Sequence, residues 1–132
     1  MTGGRLISTA FPHEIQVLVQ SHVNGFNAHN AELFISVFDD TAVIIDGIAP
    51  YRWLTPNAPA RWLADVGKWR DAFDATYEHL AYEVGFCAME GSPGYAVLSA
   101  NVTLTLKGEN VVRTGTLAYR CAKQRETWKI EA

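Results

Sequence analysis

Cysteine is scarce. The 132-residue chain has two, Cys87 and Cys121, and their spacing matches neither a metal site nor a redox motif. A disulfide scaffold is excluded, and reduced, partly buried thiols in strands are expected instead. No apolar run approaches the ~20 residues that a membrane-spanning helix needs, so no membrane partner is expected. The first ten residues lack an apolar h-region, so no signal peptide is expected and the default location is cytoplasmic. Positive charge is thin and scattered: 11 Lys and Arg against 14 Asp and Glu leave a net charge of −3 and no basic stripe, which argues against nucleic acid as a partner. The four histidines, His13, His22, His29 and His79, show no metal-ligand spacing, so no metal is expected. There is no Gly-rich phosphate loop and no nucleophile elbow, and no Ser or Cys sits in a recognisable catalytic context. Covalent catalysis is disfavoured, and no cofactor is implied.

What remains is an ordinary globular composition, 48% hydrophobic and 19% charged. The length suits one domain, residues 1–132, with 1–11 read as a loose tail. Ile15, Leu18, Val19, Val23 and Phe26 share one helical face, predicting a first helix over about 12–28, with His22 on the same face. Gly25 and the stretch Asn27 to Asn30 should end it. A short second helix follows, capped by Asn30 and carrying Leu33, Phe34, Val37 and Phe38. A third should start near Asn57, with Trp62, Val66, Trp69 and Phe73 as one buried stripe. The pattern then turns to alternation. Runs over 76–89, 95–106, 111–121 and 127–131, joined by short turns, predict an antiparallel meander and an α+β class. In the first of these runs Leu80, Tyr82, Val84, Phe86 and Ala88 read as one face, and Tyr77, His79, Glu83 and Cys87 as the other. In the second, Ser99, Asn101, Thr103 and Thr105 form the semi-polar face, a candidate dimer surface or plain solvent-exposed face.

One residue breaks the apolar logic. Asp46 ends the run Ala42-Val43-Ile44-Ile45-Asp46. With a period of two it shares a strand face with Ala42 and Ile44. A carboxylate on such a face must be paired, hydrogen-bonded or protonated. It is either an acceptor for amides of the following loop, since Asp46-Gly47 is a turn dipeptide, or a general base in an apolar pocket. His22 is either a satisfied core histidine or a partner of Asp46 across a pocket. Tyr51 and Trp53 lie in the loop after Asp46; such rings pack on the core or close over a pocket, and Tyr51 could donate to a substrate oxygen. Trp62 reads as core with a possible place in the pocket wall. Of Tyr119 and Arg120 only one can face inward, and periodicity does not say which.

Two helices, a short strand, a third helix and a long antiparallel sheet, together with Phe38-Asp-Asp-Thr-Ala-Val-Ile-Ile-Asp46 and Trp128-Lys-Ile130, resemble the nuclear transport factor 2-like superfamily. That group includes ketosteroid isomerases and SnoaL-like polyketide cyclases. The resemblance covers about residues 12–131. It implies a curved, mainly antiparallel sheet wrapped around three N-terminal helices as a cone with a pocket, and a homodimer through the outer face of the sheet. It places Asp46 where the isomerases keep their general base. The helix 1 tyrosine of their oxyanion hole falls at His22. Their second oxyanion donor, an acid, has no counterpart; Thr114 or Thr116 stands there.

Two functions from different classes follow as expectations. One is a cofactor-independent isomerase, dehydratase or cyclase acting on a small hydrophobic molecule, with Asp46 as base, His22 or Tyr51 as donor, and Trp53, Trp62, Thr116 and Tyr119 at the ligand. The other is a non-catalytic ligand-binding or dimerisation module in which Asp46 is structural.

Overall fold

The computed structural model describes residues 6–8, 12–89 and 93–132. The first helix, α1, runs over His13–Asn27 and buries Ile15, Leu18, Val19, Val23 and Phe26. Burying each such side chain contributes roughly 1.5–3 kcal/mol. Gly25, expected to end α1, lies within it. A Cβ there would meet the Phe34 amide nitrogen at 2.7 Å, so the glycine permits the close approach of the next helix. That helix, α2 (Ala31–Ser36), is capped as expected: the Asn30 side chain accepts from the Leu33 amide at 3.1 Å.

The third helix, α3 (Ala58–Ala72), follows Asn57, which adopts φ 57° and makes no side-chain cap bond. Its contribution is tolerance of the left-handed turn rather than capping. The stripe Trp62, Val66, Trp69, Phe73 is only partly core. Val66 is buried, Trp62 and Trp69 are half-buried, and Phe73 is exposed with its ring 5.3 Å from that of Trp69.

Among the described residues ten elements follow the order implied by the periodicities, with two short strands added to the expected set. β1 is Leu6–Ser8, β2 Ile44–Ile45 and β3 Arg52–Trp53; the long strands are β4 (Ala75–Met89), β5 (Gly94–Leu106) and β6 (Glu109–Gln124), and β7 is Thr127–Ile130. The main sheet has the order β1-β4-β5-β6-β7, with antiparallel neighbours throughout, and curls strongly around the helices. β2 and β3 form a separate antiparallel pair. The reading of residues 1–11 as a loose tail is corrected in part: Leu6–Ser8 pairs with Cys87–Met89. The rest of that segment, and Gly91 and Ser92 of the expected turn, lie outside the described residues.

Alternation along β4 breaks at Gly85. Val84 pairs with Leu98 and Phe86 with Val97, so Gly85 is the extra residue of a β-bulge. A Cβ there would meet the Val97 carbonyl oxygen at 2.5 Å. Just beyond the bulge Cys87 is buried and Phe86 is exposed, the reverse of the expected faces, while Ala88 is buried as expected. The lower edge of β4 is closed by a side chain. Asn27 donates to the Leu80 carbonyl at 2.9 Å and accepts from the Leu80 amide at 2.7 Å, standing in for a neighbouring strand. Among the described residues the opposite edge of the sheet is open over most of β6, because β7 pairs only with Cys121–Gln124.

Candidate functional site

The curled sheet and the helices enclose a cavity of about 730 Å³, within the ~300–1,000 Å³ usual for small-molecule sites. Its walls are chiefly apolar: Phe26 of α1, Phe34 of α2, Trp62 and Trp69 of α3, and Leu80, Val102 and Leu117 of the sheet. Sheet register explains which residues arrive. Leu80, Val102 and Arg113 are cross-strand partners in one row, and Leu98 with Leu117 and Ala96 with Tyr119 fill further rows of the same face. Sequence parity had left Tyr119 and Arg120 open. Tyr119 is the inward one; Arg120 points out and pairs with Glu131.

Asp46 borders this cavity, but it is exposed and does not sit on a buried strand face. β2 stops at Ile45, and Asp46 belongs to the turn. Its Oδ1 accepts from the Gly47 amide at 2.6 Å and its Oδ2 accepts from Trp62 Nε1 at 2.8 Å. Asp46 is thus a loop acceptor, as one of its two expected readings had it, and its carboxylate also borders the cavity.

His22 also lines the cavity, yet its hydrogen-bond partner is Tyr119 rather than Asp46. His22 Nδ1 and the Tyr119 hydroxyl are 2.7 Å apart. Burial pushes the His22 pKa down to about 4, so the ring is neutral at pH 7, and burial likewise holds the Tyr119 phenol above its ordinary value. A neutral imidazole and a phenol that share one hydrogen bond retain one donor and one acceptor in either tautomer. The pair can thus hold a carbonyl or hydroxyl of a guest. The aromatic chain Trp62–Phe34–His22 links it to the mouth, with ring centroids 5.3 Å and 4.8 Å apart.

The other expected site residues divide. Trp62 lines the cavity. Thr116 borders it too, but pairs with Ser99 and so has its side chain on the outer face. Tyr51 and Trp53 are not among the lining residues. Tyr51 is exposed at φ 75° in the turn, where its carbonyl accepts from the Asp46 amide. Trp53 is 1% exposed and donates through Nε1 to Asp65 at 2.7 Å, fastening the hairpin to α3. Two charged lining residues were missed. Glu78 is ion-paired to Arg70 of α3, and Arg113 faces inward opposite Val102. Strand parity with Leu80 and Leu117 was the signal for both. Among the described residues no three His, Cys, Asp or Glu side chains are grouped to hold a metal ion, and no helix is long and apolar enough to cross a membrane.

No protein-family model matches the sequence, and no curated protein matches it. Solved structures do. An NTF2-like protein of unknown function from Pseudomonas putida superposes with TM-score 0.67 at 16% identity, over 95% of this chain and 84% of that one. A nuclear transport factor 2-like superfamily protein from Salmonella enterica superposes with TM-score 0.68 at 12% identity, over 89% and 84%. The protein Aln2 from a Streptomyces species gives TM-score 0.66 at 14% identity, over 89% and 83%. At these identities the likeness is one of fold.

Proposed function

The chain has the nuclear transport factor 2-like fold, and from that premise we propose that it binds a small hydrophobic molecule in the cavity. The observation that carries this is an apolar chamber of about 730 Å³ with few polar groups in its walls. The His22–Tyr119 pair holds a carbonyl or hydroxyl of the guest. In the enzymatic form Asp46 removes a proton from the carbon beside that carbonyl. The electron pair moves onto the carbonyl oxygen, where the pair's donor stabilises it, and the proton returns at another carbon. Dehydration and cyclisation can begin with the same abstraction. The second reading, a non-catalytic binding or dimerisation module, is supported by the two hydrogen bonds that Asp46 already accepts. In either case two copies associate through the outer sheet face that carries Ser99, Asn101, Thr103 and Thr105.

The test uses 2-acetylnaphthalene, a neutral aryl methyl ketone. Saturating probe should raise the wild-type melting temperature by several degrees and should leave Val102→Trp, which fills the cavity, unmoved. Equal responses would remove the cavity from the account. In D2O, wild type should exchange the methyl protons of the probe for deuterium and Asp46→Asn should not. Binding without exchange would leave the non-catalytic reading.

A further inference from the structure

Arg113 stands out in the polar inventory of the cavity. Asp46 is held by Gly47 and Trp62, Glu78 by Arg70, and His22 by Tyr119. Arg113 shares the inward row with Leu80 and Val102 and lines the cavity. Among the described residues no carboxylate lies within ion-pair distance of it and no hydrogen bond engages it. Its five N–H donors are unspent, in a fork whose geometry matches a carboxylate. The position is also at the sheet edge: among the described residues no strand pairs with the outer side of β6 here, and the cavity lining extends to Arg113 and Thr116. Arg113 is exposed, so its guanidinium is hydrated and can exchange that water for an anionic group of a guest. Glu78, an acid of the cavity wall, is already neutralised by Arg70.

We propose that Arg113 is a specificity residue and that the guest is an amphipathic acid: an apolar ring system or chain that enters the cavity and a carboxylate that Arg113 holds at the open edge of β6. The proposal rests on the cavity being a binding site. The carboxylate stays at the wet rim, so its desolvation is small, while the apolar body accounts for most of the affinity. Asp46, the other charge at the mouth, sits on the opposing loop and is engaged by two donors.

Matched probes separate this claim from its premise. 2-Naphthoate and methyl 2-naphthoate share the apolar body and differ in charge. Their binding can be followed by quenching of Trp62 and Trp69, which line the cavity. Wild type should bind the acid roughly tenfold tighter than the ester, as one charge-assisted bidentate contact implies. Arg113→Met should abolish that preference while still binding the ester, and the wild-type preference should shrink as salt rises. Equal wild-type affinities would overturn the role of Arg113 and leave the cavity standing. Failure of both probes to bind would overturn both. A preference that persists in Arg113→Met would also overturn it, and circular dichroism of the variant checks that it is folded.

Discussion

The mouth and the interior of the cavity solve opposite problems with the same kinds of group. At the mouth Asp46 is wet, and its hydrogen bonds to Gly47 and Trp62 join groups that water could also satisfy. In the interior His22 and Tyr119 have mainly each other, and burial shifts both of their protonation equilibria toward neutrality. A hydrogen bond contributes little where water competes and is expensive to lose where it does not. The interior pair should therefore dominate the stability and pH response of the site, and the mouth should matter chiefly to what enters and reacts.

The largest expected effect is the pH response of His22. Its pKa falls from an ordinary value near 6.5 to about 4 on folding, so between those values the unfolded chain binds the proton more readily. The associated stability is complete above pH 6.5, is lost as pH falls toward 4, and amounts to about 3 kcal/mol. Urea unfolding at pH 7 and pH 4.5 should show a steep fall in wild type and a shallower one in His22→Leu. Equal slopes would erase the contrast between interior and mouth. Next comes Tyr119→Phe, which leaves His22 Nδ1 without its partner and should cost about 1–2 kcal/mol at pH 7. A double-mutant cycle with His22→Leu should show coupling of similar size. The smallest is Asp46→Asn, which should change stability by less than about 0.5 kcal/mol. A larger loss would mean that Asp46 holds the loop together and would move it out of the chemistry.

Much of this contrast was legible in the sequence, and the failures have physical causes. Apolar periodicity located α1, α2, α3 and the four strands of the meander, because a buried face imposes its period on the chain. Gly85 defeated the alternation. One residue of bulge exchanges Cys87 and Phe86 between faces, and a strand glycine was the only local sign of it. The α3 stripe looked like core because a cavity wall and a core wall use the same residues; Trp62 and Trp69 differ only in what faces them. Asp46 was visible as an oddity, yet its short strand ends one residue too early to bury it. Trp53 could not be assigned from the loop composition, because its partner Asp65 lies on another element. The His22–Tyr119 contact joins residues 97 apart, and only the folded register of β6 brings them together.

The most direct measurement is side-chain ¹⁵N NMR of His22 across pH, with and without 2-acetylnaphthalene. A cavity whose interior pair holds the polar end of the guest predicts a neutral ring down to about pH 4 and a displacement of the His22 nitrogen resonances on binding. Titration near pH 6.5, with resonances that the probe does not move, would contradict it.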